Sequence, residues 1–145
     1  MNDGGFEFLE HTADVKARAY GPSLEIAYSQ AAYALMATIT PDLSKISKKR
    51  EKKFSITAED QEALLFDFLS ELLYIFDVDH LVFGDISVES IKEKGEGYEL
   101  RTILIGEEFD KEKHEIGTEV KAITYSYMKI EEKEDFWNIE VVFDI

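Results

Sequence analysis

"ALLFDFLSELLYIF", residues 63–76, is the most apolar stretch of the chain. Leu64, Leu65, Phe66, Phe68, Leu69, Leu72, Leu73, Ile75 and Phe76 leave polar side chains only at Asp67, Ser70, Glu71 and Tyr74. Those four fall at i, i+3, i+4 and i+7, one narrow stripe of an α-helix. A helix apolar around the rest of its circumference is covered on more than one side, so the pattern predicts a central helix lying against a sheet. Asp60 is a good N-cap, which places the helix over roughly Gln61 to Phe76. Broken by Asp67 and Glu71, the stretch is too short and too charged to cross a bilayer.

Outward from this helix the chain reads mostly as strands. "FEFLEH" (6–11) is a short strand, and "DVKARAYG" (14–21) alternates Val15, Ala17 and Ala19 against Lys16, Arg18 and Tyr20 before Gly21-Pro22 ends it. Ser23 caps a first helix over roughly Leu24 to Thr38, with Pro41 marking its end. "KKFSITA" (52–58) returns to strand. Beyond the central helix, "LVFGDISVESIKE" and "YELRTILIG" form a hairpin through "KGEG", and "TEVKAITYSYMKIE" and "FWNIEVVFDI" form another through "EKED". No Pro/Gly/Ser-rich linker and no repeat divides the chain, so residues 1–145 are expected to be one domain. The order points to an α+β fold, a compact single domain with a mostly antiparallel sheet and two helices.

Composition narrows the chemistry. Sixteen Lys and Arg against 31 Asp and Glu give a net charge of −15, a field that repels a phosphate backbone. The one dense basic run, "KISKKREKK" (45–53), reads as a solvated loop entering a strand, so little direct nucleic-acid binding is expected. Cations or a basic protein are the better-matched partners. With no cysteine there is no disulfide, thiolate zinc site or Cys nucleophile, which fits a reducing compartment. "MNDGGFEFLE" has no charged n-region followed by an apolar run, so a soluble cytoplasmic protein is expected, with no membrane partner. His11, His80 and His114 are dispersed, without H-E-x-x-H, and the glycines form no G-x-G-x-x-G, Walker A or G-x-S-x-G pattern. "DVDHLVFGDISV" (77–88) starts like a calcium loop but has Val82 and Val88 where the turn glycine and the bidentate acid belong.

Two acidic positions stand out. The last strand, ending in "VVFDI" (141–145), places Ile139, Val141, Phe143 and Ile145 on one face and Asn138, Glu140, Val142 and Asp144 on the other. Asp144 thus sits at the mouth of a sheet, beside the α-carboxylate of Ile145. "EHTADV" (10–15) crowds His11, Thr12 and Asp14 into one turn, where Asp and Thr also serve as ordinary turn or capping residues. If Asp14 meets Asp144 and the terminal carboxylate, three anionic oxygen groups converge. Such a thiol-free set suits a hard cation, Ca²⁺ or Mg²⁺, rather than zinc.

"FEFLEHTADVKARAYG", "ALLFDFLSELLYIFD", "VKAITY" and the terminal "VVFDI" together resemble the archease family over essentially the whole chain. Ser126 stands where the family pattern usually continues with histidine after "TY". The resemblance implies a compact Hsp33-like α+β fold and an accessory protein rather than a stand-alone enzyme. It implies an activator of the RtcB-type tRNA-splicing ligase, which charges its own histidine with GMP before joining exon halves. The activator promotes that guanylylation and multiple turnover, and broadens the choice of nucleoside triphosphate. It further implies a calcium-like metal site, for Ca²⁺ or another hard divalent cation such as Mg²⁺ or Mn²⁺, on Asp14, Asp144 and the terminal carboxylate of Ile145. Two other classes stay open from the residues: a metal-dependent hydrolase acting alone, and a general chaperone or scaffold for an RNA-modifying enzyme.

Overall fold

The structure is a computed structural model that describes residues 4–10 and 14–145. In chain order it has β1 (Gly5–Leu9), β2 (Asp14–Gly21), α1 (Leu24–Ile39), a 3-10 turn at Leu43–Lys45, β3 (Arg50–Ala58), α2 (Gln61–Asp79), β4 (Leu81–Lys94), β5 (Gly97–Glu108), β6 (Ala122–Glu132) and β7 (Trp137–Asp144). The α+β expectation with two helices holds, and every strand pair is antiparallel. The strands divide into two sheets, ordered β1-β2-β7-β6 and β3-β5-β4. Each helix touches both: α1 packs on β2 and β4, α2 on β6 and β3. That placement explains the sequence of α2. Leu64, Leu65, Phe68, Leu69 and Leu72 are wholly buried, while Asp67 and Tyr74 on the polar stripe are exposed.

Both expected N-caps form. Ser23 Oγ accepts from the Ile26 N–H at 3.1 Å, and Asp60 Oδ1 accepts from the Ala63 N–H at 2.7 Å, each satisfying a donor the helix leaves open. The central helix runs past Phe76 to Asp79. Nothing in "DVD" breaks a helix, and the turn is closed by His80 in the left-handed region (φ 57°), whose N–H donates to the Phe76 carbonyl.

The first helix is buried on most sides, with Ala27, Ala31, Ala32 and Ala34 inaccessible, and small residues let its backbone approach both sheets closely. One of its stripes has a second task. β4 is an edge strand, so a row of its N–H groups faces away from the ladder. Tyr33 Oη accepts from the Ile86 N–H at 2.8 Å, Ser29 Oγ from the Val88 N–H at 2.9 Å, and Glu25 Oε2 from the Ile91 N–H at 3.2 Å. Residues 25, 29 and 33 are one helical row with a repeat of about 6 Å. Ile86 and Val88 are alternate strand residues, about 6.6 Å apart, and the β-bulge between Val88 and Ser90 absorbs one extra residue so that Ile91 takes the third place in the row. The helices are joined by Tyr28, whose fully buried hydroxyl donates to the Gln61 carbonyl at 2.6 Å at the start of α2.

At its far end α1 anchors the long connection between β5 and β6. The Gly117 and Thr118 N–H groups donate to the Ile39 and Thr38 carbonyls at 2.9 and 2.8 Å. A Cβ at Gly117 would collide with those carbonyls, so glycine is required for the approach.

Ser29→Ala leaves the buried Val88 N–H without its acceptor. We expect a loss of about 1–3 kcal/mol, read as a lower urea midpoint at unchanged m-value, whereas Ser44→Ala on the exposed 3-10 turn should cost well under 1 kcal/mol.

Candidate metal centre

β7 lies between β2 and β6, and its register decides what meets at the mouth of the sheet. Asp14 pairs with Asp144 across β2 and β7, and Ala122 pairs with Asp144 across β6 and β7. Directly opposed residues share a face, with Cβ atoms about 4.5–5.5 Å apart. The two carboxylates at opposite ends of the chain therefore belong to one cross-strand pair. The Asp144 carbonyl accepts from the Lys121 N–H at 2.7 Å, and half-buried Ile145 packs against the core, so this end of β7 is held on both sides. Asp14 also lines a groove of about 370 Å³ with Phe8, Leu9, Thr38, Pro41 and Thr118, at the end of α1.

Behind the pair, on the same face, Lys16 Nζ lies 3.2 Å from Glu140 and 5.3 Å from the centre of the Tyr127 ring. Among the described residues no three His, Asp or Glu side chains converge as a metal cluster. The side chains supply two carboxylates, so the third donor expected from the sequence is a main-chain group. An all-oxygen set of this kind fits a hard cation and suits neither zinc nor copper.

Other sequence candidates fall elsewhere. His11 and Thr12 lie outside the described residues. His80 is the α2 cap, and residues 77–88 are the end of that helix and the start of β4, not a calcium loop. The basic run at 45–53 is largely matched by local acids: Lys48 with Asp85, Lys49 with Glu107, Lys52 with Asp79 and Lys53 with Glu51, all at 3.6–3.8 Å. Ser126 is exposed in an irregular stretch of β6. Between the Thr124–Val142 and Lys129–Glu140 pairs, β6 advances five residues while β7 advances two. This bulge turns Tyr125 onto Phe66 of α2 and Tyr127, at φ 59°, towards Lys16.

One network had no signal in the sequence. Glu107, at the end of β5, is 5% exposed. Its carboxylate accepts from Lys113 Nζ at 2.6 Å and from the Ser47 N–H at 2.8 Å, and lies 2.8 Å from His114 Nε2. His114 Nδ1 accepts from the Asp110 N–H at 2.9 Å, so Nε2 carries the proton and donates to Glu107. Burial pushes the Glu107 carboxyl up, but the hydrogen bonds from Lys113, Ser47 and His114 outweigh it and hold it at about 2. A strand-end glutamate in "GEEFDKEKH" looks solvated; only the return of the 109–114 loop buries it.

A small α+β protein whose exposed end carries a matched carboxylate pair, and whose helices are shared between two sheets, is the class defined by this geometry. Residues 6–145 match the Archease protein family (MTH1598/TM1083). The chain is 48% identical over 141 residues to the protein archease of Pyrococcus furiosus, covering 97% of this chain and 98% of that one. It is 41% identical over 140 residues to the protein archease of Methanosarcina acetivorans, covering 97% and 95%. A solution structure of Methanobacterium thermoautotrophicum protein 1598 superposes with a TM-score of 0.82 at 37% identity, covering 97% of this chain and 99% of that one. A crystal structure of a Thermotoga maritima archease, described as a possible chaperone, gives a TM-score of 0.59 at 27% identity over 94% of each chain. The chain belongs to the archease family.

The Glu107 network sets a pH dependence. Its carboxyl is held at about 2 against an ordinary 4.5, so the stability it supplies is present above 4.5 and lost as pH falls towards 2. Glu107→Gln should be less stable than the wild type at neutral pH by roughly 2 kcal/mol, allowing for the partial exposure of Lys113. Denaturant melts should show that gap closing across this interval.

Proposed function

We propose that this chain is an accessory activator of an RtcB-type tRNA-splicing RNA ligase. In this reading it promotes the ligase's guanylylation and multiple turnover and broadens its nucleoside triphosphate use, acting in the cytoplasm without itself catalysing a reaction. Family membership supports the reading, and the observation that carries its mechanism is the Asp14–Asp144 cross-strand pair. Two carboxylates set side by side in one ladder are the start of an all-oxygen ligand set, the kind that a hard cation prefers.

Asp14, Asp144 and the main-chain carboxylate of Ile145 would hold Ca²⁺ or another hard divalent cation such as Mg²⁺ or Mn²⁺. A cation held there supplies charge neutralisation to a triphosphate, and nucleotidyl transfer is governed by positioning and charge. The chain's own contribution is to fix the donors. The β2–β7 ladder sets the two aspartates side by side before any ligand arrives, and the Lys121 N–H anchors the Asp144 backbone. Little ordering is left for the moment of binding. The net charge of −15 favours encounter with a basic protein rim and disfavours direct contact with RNA.

The test is a guanylylation assay of the partner ligase with and without this protein. Asp14→Ala and Asp144→Ala should abolish stimulation while melting, in chelator, within a few degrees of the wild type. Calcium should raise the melting temperature of the wild type and of neither variant, and extension beyond Ile145 by one glycine should weaken the calcium effect. Because bound carboxylates must be deprotonated, the calcium effect should also fade in acid. Full stimulation by both aspartate variants would refute the mechanism, and phosphoester turnover by the protein alone would replace it with the hydrolase reading.

A further inference from the structure

Helix α2 reaches solvent along one line, and that line carries no cation. Between Lys53 and Lys92 the sequence has no Lys or Arg but nine Asp and Glu. At about 100° per residue, Asp67, Glu71, Tyr74 and Val78 fall on one stripe of the helix. Tyr74 is 60% exposed and Val78 54% exposed, large apolar surfaces to leave in water. At the N-terminal end of the stripe Phe66 stacks on Tyr125 of β6, with ring centroids 4.3 Å apart and planes within 4°. Tyr125 is itself 54% exposed. Partial burial raises its phenol pKa, and the negative charges of Asp67, Asp60 and Glu59 raise it further.

Two features of this face run against the interests of the fold. Surface helices ordinarily intersperse Glu with Lys at i, i+4, and α2 has no such pair. Asp77 and Asp79 also occupy its last turn, where the helix dipole is negative and the turn itself carries no basic residue. Only Asp79 has a cation nearby, Lys52 at 3.8 Å; Asp67, Glu71 and Asp77 have none within 4.0 Å among the described residues. Exposed aromatic rings flanked by unneutralised acids are complementary to lysine and arginine. Ammonium and guanidinium groups meet the carboxylates, and guanidinium planes lie on tyrosine faces.

We propose that the exposed face of α2, with Tyr125 beside it, docks a Lys/Arg-rich segment of a partner protein. A second copy of this chain, carrying the same −15, is repelled, as is a nucleic acid. The partner's name, the ligase, rests on the reading above; the surface does not.

Two measurements test this separately. In the first, ligase affinity is measured by calorimetry for the wild type, Asp67→Asn/Glu71→Gln, Tyr74→Ala and Asp77→Asn. The double variant should bind roughly tenfold more weakly, and wild-type affinity should fall with salt. Asp77→Asn should also bind more weakly while melting at or above the wild-type temperature, an outcome that a purely structural role would not produce. At saturating concentration the double variant should still stimulate guanylylation fully, unlike the aspartate-pair variants. In the second, an arginine-rich amphipathic peptide is titrated into ¹⁵N-labelled protein, and shift changes should concentrate at residues 62–79 and 124–127. Wild-type-like ligase binding by the double variant, or peptide shifts centred elsewhere, overturns the proposal. A peptide that maps to α2 while the ligase binds no form of the protein sustains the surface and sinks the ligase.

Discussion

An edge strand leaves a row of N–H groups with nowhere to go, and here a helix takes them. Glu25, Ser29 and Tyr33 of α1 accept from Ile91, Val88 and Ile86 of β4. This fixes α1 along the smaller sheet, and from that position much else follows. With one side of α1 committed to β4, its remaining alanine-rich surface is free to face β2 and the larger sheet. Tyr28 then ties the start of α2 to the same helix, and the last turn of α1 holds the segment that leads into β6. An edge capped by side chains is also closed to pairing with another molecule. The carboxylate pair itself is set by the β2–β7 register, at the end of the sheet against which α1 is held.

The acids of this protein fall into two physical kinds. Glu107 is buried, takes hydrogen bonds from Lys113, Ser47 and His114, and stabilises a loop. Glu140 is paired with Lys16, and Glu99 with Lys94 and Arg101. The α2 stripe has no such matching. Asp14 and Asp144 are set opposite one another in the β2–β7 ladder. Self-repulsion among like charges lowers stability, so the acids that the fold leaves unmatched along α2 are the ones a cation on another protein would relieve.

How much of this was legible in the sequence depends on how local each signal is. The i, i+3, i+4 rhythm of residues 63–76 is local, and it correctly marked a helix covered on several sides. The two caps, the period-2 strands and both hairpin turns are equally local and were readable. Extra length on α2 was missed because the stop is made by His80 adopting a left-handed conformation, a choice that composition does not announce. Division of the strands into two sheets, the burial of Glu107 and the bulge at 125–128 all arise from contacts between distant segments. The candidate site is an intermediate case: alternation put Asp144 on the outer face, but only the β2–β7 register brings Asp14 to it.

The aspartate pair and the α2 stripe answer different physical needs. Two carboxylates on a rigid ladder present a small, preorganised target, well suited to placing one ion but too small in area to hold a protein. A helix face with acids and open tyrosine rings is the reverse: broad, forgiving in geometry and dominated by long-range charge, so it favours rapid capture over placement. In the role proposed above, an activator acting repeatedly on a ligase would need both, because tight placement without easy release would stop turnover. Contacts dominated by exposed charge are weakened by solvent and salt, which keeps the docked state short-lived. The cost to folding of an acidic helix stripe that the fold leaves largely unmatched would then be the physical trace of a protein held only briefly.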